Sequence, residues 1–370
     1  MEYTKSILES VGLSLIDNLY KGKKILITGH TGFKGSWLSI WLKIMGAEVI
    51  GYALAPYTER DNFVVTKLED KITHIIGDVR DYQNLLYVFN EYKPEFVFHL
   101  AAQPLVRESY VNPKETYDVN IGGTVNVLEC CRLSESLKVV INVTTDKCYE
   151  NKERIRGYGE NDRLGGYDPY SSSKAGSEIV TAAYRQSFFN PNKVDKHGKT
   201  IASARAGNVI GGGDWQTDRL IPDCINSLAK SEPVIIRNPS AIRPWQHVLE
   251  PLSGYLLLAE KMYKNPGQYC EAWNFGPTEE SMKHVGEVAD LVVQNWGDGS
   301  RQDEPEKNAP HETNILKLDI SKARTRLGWN PVLSIEQAVT ATVDWYKNYK
   351  EKDMYRFCEQ QIESYTNLDF

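Results

Sequence analysis

The 370-residue chain is short of cysteine, of positive charge and of long apolar runs, and each shortage removes a class of function. Its six cysteines, Cys130, Cys131, Cys148, Cys224, Cys270 and Cys358, form no Cys-x-x-Cys and have no histidine at metal-ligand spacing, so no metal site is expected. Scattered thiols in a chain of this length fit a reducing compartment. With 43 Lys and Arg against 49 Asp and Glu, the net charge is −6. No basic excess is left to grip nucleic acid or an anionic membrane surface. No apolar run approaches the ~18 residues of a membrane span. Glu2, Glu9 and Asp17 interrupt the N-terminal apolar residues, unlike a secretory leader. What remains, 41% hydrophobic and 25% charged, is an ordinary globular composition. The expectation is a cytoplasmic α/β enzyme or binding protein of about two domains.

The apolar pattern alternates between two periods. Short strand-like runs lie at 24–28, 47–53, 72–76, 96–100, 139–143 and 201–206. Helical patterns lie between them, at 33–45, 83–92, 115–134 and 169–188. Strands alternating with helices predict βαβ units, a parallel sheet and, with six strands, a doubly wound Rossmann-type fold. Beyond residue 206 seven prolines between Pro222 and Pro277 break the periodicity. Residues 1–206 are therefore expected to form the dinucleotide-binding domain, with 1–20 an amphipathic N-terminal extension. Residues 207–370 are expected to form a smaller substrate domain, interleaved with the first around 240–265. The acidic stretch 298–306 reads as a solvated loop.

Gly29-His30-Thr31-Gly32-Phe33-Lys34-Gly35 lies directly between a strand and a helix. Glycines there allow a tight turn and close approach of backbone to a pyrophosphate, which the helix N-terminus then attracts. Strand, turn, helix and next strand fill about 30 residues, the context that gives such a motif meaning. Which dinucleotide is bound is less legible, because Ala53-Leu54-Ala55 ends the second strand with neither an acid nor an arginine; Arg60 follows only after a proline-containing loop. Asp78, after the third strand, is read equally as an acceptor for adenine's amino group and as a turn residue.

Tyr170 and Lys174 are four residues apart at the start of a helical pattern, which stacks them on one face. An ammonium beside a phenol is expected to lower the phenol's pKa from about 10, so that Tyr170 takes a proton from an alcohol as hydride leaves its carbon. Thr145 and Asp146 follow the fifth strand.

At these residues the chain resembles the extended short-chain dehydrogenase/reductase family, and within it the nucleotide-sugar 4,6-dehydratases. The match is carried by Gly29 to Lys34, His99-Leu100-Ala101-Ala102-Gln103, Thr145-Asp146-Lys147-Cys148-Tyr149, Gly165-Gly166-Tyr167-Asp168-Pro169-Tyr170, Arg205 to Trp215, and Arg243-Pro244-Trp245-Gln246-His247-Val248. The resemblance spans about residues 21–331, most of the chain. The resemblance implies NAD as cofactor, held by Gly29, Thr31, Gly32, Phe33, Lys34, Asp78, Val79, Leu100, Ala101, Ala102, Gln103, Asn120 and Thr144 together with Tyr170 and Lys174. It implies catalysis by Thr145, Asp146, Lys147, Tyr170 and Lys174, with Asp146 as acid for the departing 6-hydroxyl. It further implies a nucleotide sugar held by Asn208, Arg219, Leu220, Arg243, Asn274 and His311.

One position departs from the wider pattern. Relatives acting on dTDP- or GDP-sugars carry a glutamate where this chain has Lys147, and that glutamate is the natural base for the carbon 5 proton. The branch acting on CDP-sugars carries lysine, and a lysine is a base only when neutral. Two competing readings share the fold: a sugar-nucleotide 4-epimerase, and an NAD-binding regulator without chemistry. Asp146 and Lys147 speak against the first, and the joint presence of Thr145, Asp146, Tyr170 and Lys174 against the second. The resemblance also implies a homodimer through the helices at 115–134 and 169–188.

Overall fold

In strand β1 (Lys24–Thr28) the last four residues are buried, Ile25 and Ile27 in one core and Leu26 in the other. A parallel strand covered on both faces needs apolar side chains at successive positions, which is why the run is continuous. β4 (Phe96–His99), β5 (Val139–Val143) and β6 (Thr200–Ala206) are buried throughout for the same reason. β2 (Glu48–Ala53) lies beside β1, and β3 (Thr73–Ile76) is the half-exposed edge. The computed structural model describes residues 19–154, 156–304 and 316–368. The expected extension at 1–20 lies almost wholly outside them.

All pairings in the sheet are parallel, in the order β3-β2-β1-β4-β5-β6-β7, with β7 at Ala272–Phe275. The doubly wound sheet is as expected, with a seventh strand that the sequence reading did not include. Four residues are too few to show a period. Helices α1 (Phe33–Ile44) and α2 (Tyr82–Tyr92) follow β1 and β3. α3 (Gly123–Leu133) precedes β5 and continues from Pro113–Tyr117 through a π-helical turn at Asp118–Gly122. α4 (Pro169–Ser187) precedes β6, and α5 (Leu220–Leu228) and α6 (Leu249–Lys264) follow it. Trp37, Leu38 and Trp41 of α1 share a core with Leu252, Tyr255 and Leu256 of α6 on one side of the sheet. Leu85, Val88 and Phe89 of α2 share the other with Val127 and Leu128 of α3.

The reading of 298–306 as a loop needs correction, because Arg301–Asp303 pairs in parallel with Val234–Ile236. Backbone pairing at a surface leaves the polar side chains in water, so charge alone did not mark a loop. No helix among the described residues is long and apolar enough to cross a membrane.

The sheet order reverses between β1 and β4. At such a switch point the following loops diverge and leave a crevice at the carboxyl ends of the strands.

Candidate active site

The crevice is a cavity of about 1760 Å³, bordered by the turns after β1, β2, β4 and β5, the start of α4 and the segment around α5. Typical small-molecule pockets hold roughly 300–1,000 Å³, so there is room for two nucleotide-sized ligands together.

At the β1 end the turn is built on contact between backbones. Gly29 has φ +80°, and a Cβ there would lie 2.7 Å from the amide nitrogen of Ala101. A Cβ on Gly35 would lie 2.1 Å from the carbonyl oxygen of Gly29. Only hydrogen fits at either place. α1 begins at Gly32 with no side-chain cap, so the positive end of the helix faces the cavity uncovered. That cradle fits the pyrophosphate of a dinucleotide. Thr31 donates to the carbonyl of Leu54 at 2.9 Å and pins the turn to the end of β2. Phe33, Val79, Leu100, Ala101 and Ala102 line the same space. Asp78 lines it too, with its carboxylate gripped by Arg80 at 2.6 Å. Arg60 stacks on Trp215, its guanidinium 4.0 Å from the ring centre.

Two expected cofactor contacts do something else. Gln103 and Asn120 are absent from the cavity wall. The Asn120 side-chain oxygen Oδ1 accepts from the Gln103 backbone N–H at 2.9 Å, and its Nδ2 donates to Ser173 at 2.8 Å. They brace the loop after β4 against α4.

The β5 end is built from side chains. Thr145, Asp146, Tyr170 and Lys174 are all buried and all line the cavity. Asp168 starts α4, accepting from the Ser171 amide at 2.9 Å and the Ser171 hydroxyl at 2.6 Å, and Pro169 follows at the first helical position. Both features favour a helix start there. Tyr170 and Lys174 therefore project from a helix with a closed N-terminus. Thr145 donates to Asp146 Oδ1 at 2.9 Å, and Lys147 Nζ lies 3.5 Å from the same oxygen. Asp146 Oδ2 is buried without a hydrogen-bond partner. A Cβ on Gly207 would sit 2.0 Å from it, so glycine is what leaves room for the carboxyl.

The expected lowering of Tyr170 by Lys174 is not found. Burial pushes the phenol up to about 12; a hydrogen bond with Thr145 lowers it, Asp146 raises it and Arg219 lowers it. The Lys174 ammonium donates to the Val143 carbonyl at 3.3 Å. Burial brings Lys174 down to about 8 against the opposing charge of Glu178.

Lys34, expected only beside the cofactor, faces the reacting groups as well. Burial lowers its ammonium to about 7; Arg219, Lys174 and Lys147 push the same way, and Asp146 opposes them. Arg219 donates to Asp214 at 2.6 Å. Asn208, Leu220 and Arg243 also line the cavity. Asn274 does not. It is fully buried, accepting from Tyr149 at 2.7 Å and donating to the carbonyls of Tyr158 and Asp319. With its amide satisfied inside the scaffold, it has nothing to offer a ligand. His311 lies outside the described residues.

The sequence reading missed a buried network beneath the site. Glu178 accepts from Thr144 at 2.5 Å, Ser203 at 2.6 Å and Arg205 at 2.9 and 2.8 Å. Against the penalty of burial, Arg205 holds the Glu178 carboxylate below its ordinary range. The network fixes α4 to the ends of β5 and β6. Its one sequence signal is spacing, since Glu178 lies four residues beyond Lys174 on the same helical face.

Comparison with known proteins follows the same lines. The family model for GDP-mannose 4,6 dehydratase matches residues 26–342. A CDP-glucose 4,6-dehydratase of Salmonella typhimurium is 50% identical over 351 residues, 95% of this chain and 98% of that one. The solved dTDP-glucose 4,6-dehydratase of Streptomyces venezuelae, in complex with NAD, superposes with a TM-score of 0.74 at 22% identity, over 88% of this chain and 97% of that one. The UDP-glucose 4-epimerase of Thermus thermophilus, also with NAD, gives 0.74 at 24%, over 88% and 99%. At these identities the two structures share the fold with this chain.

Proposed function

The chain belongs to the GDP-mannose 4,6-dehydratase family, and from that membership we propose that it is a CDP-glucose 4,6-dehydratase using NAD. The enzyme is a hydro-lyase that converts CDP-glucose to CDP-4-keto-6-deoxyglucose. The observation that carries this reading is the placement of Asp146, a buried carboxyl with one oxygen unpartnered, in one chamber with Tyr170 and Lys174. An epimerase needs the tyrosine and lysine but no acid for a leaving hydroxyl. Half the residues shared with a CDP-glucose 4,6-dehydratase support the choice of nucleotide and sugar.

Bound in this cavity, NAD would supply reversible hydride acceptance, from carbon 4 of the hexose and back to carbon 6. Gly29, Gly32 and the amides at the start of α1 hold its pyrophosphate. Leu100, Ala101 and Ala102 would border it on the β4 side, and Lys174, which lines the same cavity, would hold its nicotinamide end. Tyr170 takes the proton of the 4-hydroxyl, its phenolate stabilised by Thr145 and by the charge of Arg219. The 4-ketone acidifies carbon 5. Asp146 gives a proton to the departing 6-hydroxyl, which leaves as water. The proton Tyr170 gained replaces the one Asp146 lost, and Thr145, which donates to Asp146 and lowers the Tyr170 phenol, links the two groups. Lys147 holds Asp146 and supplies positive charge to the developing enolate. Arg219 and Arg243 take the substrate's diphosphate, guanidinium matching phosphate with paired hydrogen bonds.

On this reading residues 1–206 serve the dinucleotide and 207–370 the nucleotide sugar. The enzyme is a cytoplasmic homodimer, pairing through 113–133 and α4, where Tyr117, Leu133, Ile179 and Phe188 are exposed. Incubation with CDP-glucose and catalytic NAD tests the activity. The product should be one water lighter, with no lasting absorbance from reduced cofactor. An isomer of unchanged mass would indicate epimerisation, and reduced cofactor accumulating in step with product a simple dehydrogenase.

A further inference from the structure

Removing the carbon 5 proton requires a deprotonated base, and a lysine is one only as the neutral amine. Four lysines line the described cavity: Lys34, Lys147, Lys152 and Lys174. Three of them have an acceptor. Lys147 pairs with Asp146 at 3.5 Å, Lys152 with Glu150 at 3.6 Å, and Lys174 donates to the Val143 carbonyl at 3.3 Å. Lys34, among the described residues, has neither a hydrogen bond nor an ion pair. It sits in the first turn of α1, whose positive end opposes a further positive charge. Of the neighbouring groups that act on it most, Arg219 lowers it, Asp146 opposes, and Lys174 and Lys147 lower it further.

We propose that Lys34, and not Lys147, is the amine that accepts the carbon 5 proton. The inference rests on the dehydratase reading above and adds a residue to it. In the step, the Nζ lone pair of Lys34 takes the proton. The carbon–hydrogen electron pair becomes the double bond between carbons 5 and 6. The bond from carbon 6 to oxygen breaks, and the hydroxyl leaves as water with the proton of Asp146. Once hydride has returned to carbon 6, Lys34 gives its proton back to carbon 5. Burial and neighbouring cations make the amine available near neutral pH, as its value of about 7 reflects. Lys147, held against Asp146 and about a third exposed, keeps the electrostatic role.

The test uses the NAD-loaded enzyme with CDP-glucose in deuterium oxide, comparing the wild type with Lys34→Met, Lys34→Arg and Lys147→Met. The wild type should place deuterium at carbon 5 and lose one water. Lys34→Met should slow elimination ~10²–10⁴-fold, the usual range for a general base. A 4-keto hexose should accumulate with reduced cofactor, without deuterium at carbon 5. Lys34→Arg keeps the charge but not a titratable amine. It should bind NAD normally in a direct titration, remain blocked in exchange, and lose the rise of elimination rate with pH near neutrality. Lys147→Met should slow elimination ~10²–10³-fold, as for loss of one electrostatic group, and still exchange carbon 5. The proposal is overturned if either Lys34 variant exchanges carbon 5 at the wild-type rate. It is also overturned if Lys34→Arg restores turnover along with NAD affinity, which makes Lys34 a phosphate contact, or if exchange is lost only in Lys147→Met. A wild type that loses no water would instead overturn the dehydratase reading.

Discussion

The two helices that open onto the cavity begin in opposite ways. α1 starts at Gly32, which has no side chain to cap it, so its N-terminal dipole faces the cavity. α4 starts at Asp168, whose carboxylate closes the first turn through Ser171, with Pro169 fixed behind it. The first is a binding site because something is missing. The second is a rigid mount because everything local is satisfied before a ligand arrives. Binding of an anion is thus given to backbone, and removal of the 4-hydroxyl proton to a side chain on a helix that has no need of the ligand to hold its shape. Damage at α4's reacting residues should therefore alter rate, and damage to the uncapped backbone turn at Gly32 should alter affinity.

The largest expected effect is Tyr170→Phe. It removes one hydroxyl from the capped helix, and turnover should fall ~10²–10⁴-fold, with cofactor affinity and melting temperature near those of the wild type. Paired rate and binding measurements check it, and a near-native rate would make the pair with Lys174 a coincidence of helical spacing.

Next in size, Gly32→Asp gives α1 the kind of cap that α4 has. A Cβ at Gly32 meets only the Gly29 carbonyl, at 3.3 Å, so the side chain can be placed. NAD affinity should drop by more than about tenfold, because a carboxylate occupies the anion's place at the helix end. The fold should gain only about a few tenths of a kcal/mol from the new cap, since glycine is itself a tolerable N-cap. Unchanged affinity in calorimetry would show that the uncapped turn is not where the pyrophosphate lies.

The smallest effect is expected for Asp168→Ala, which uncaps α4. Thermal unfolding should show a loss of about 1 kcal/mol, and the rate should fall modestly as Tyr170 loses its fixed mount. A large loss of NAD affinity with no change in stability would reverse the roles assigned to the two helix starts.

Sequence reading reached far at the β1 end because its signals are local. A strand, three glycines at fixed spacing and an amphipathic helix are adjacent in the chain, and Gly29 and Gly35 met the close approaches that such glycines exist to allow. It reached Tyr170 and Lys174 for the same reason, since four residues on a helix always share a face. It misplaced Asn274, Gln103 and Asn120, each of which bonds to a group between 13 and 125 residues distant. A polar residue looks the same in sequence whether it faces a ligand or ties two loops together. It also expected a lowered phenol at Tyr170, since spacing shows which residues are neighbours but not how deeply they are buried.

What the sequence determined by itself is therefore the alternation of strands and helices, the anion cradle after β1 and the tyrosine–lysine face of α4. These follow from backbone geometry within a few residues, which no later packing can undo. Only the tertiary structure decided that Lys34 shares a chamber with Asp146, Lys147 and Arg219, that Glu178 is neutralised by Arg205, and that β7 completes the sheet. The order of parallel strands sets which distant loops meet, and enclosure away from water then sets the charge each group can carry.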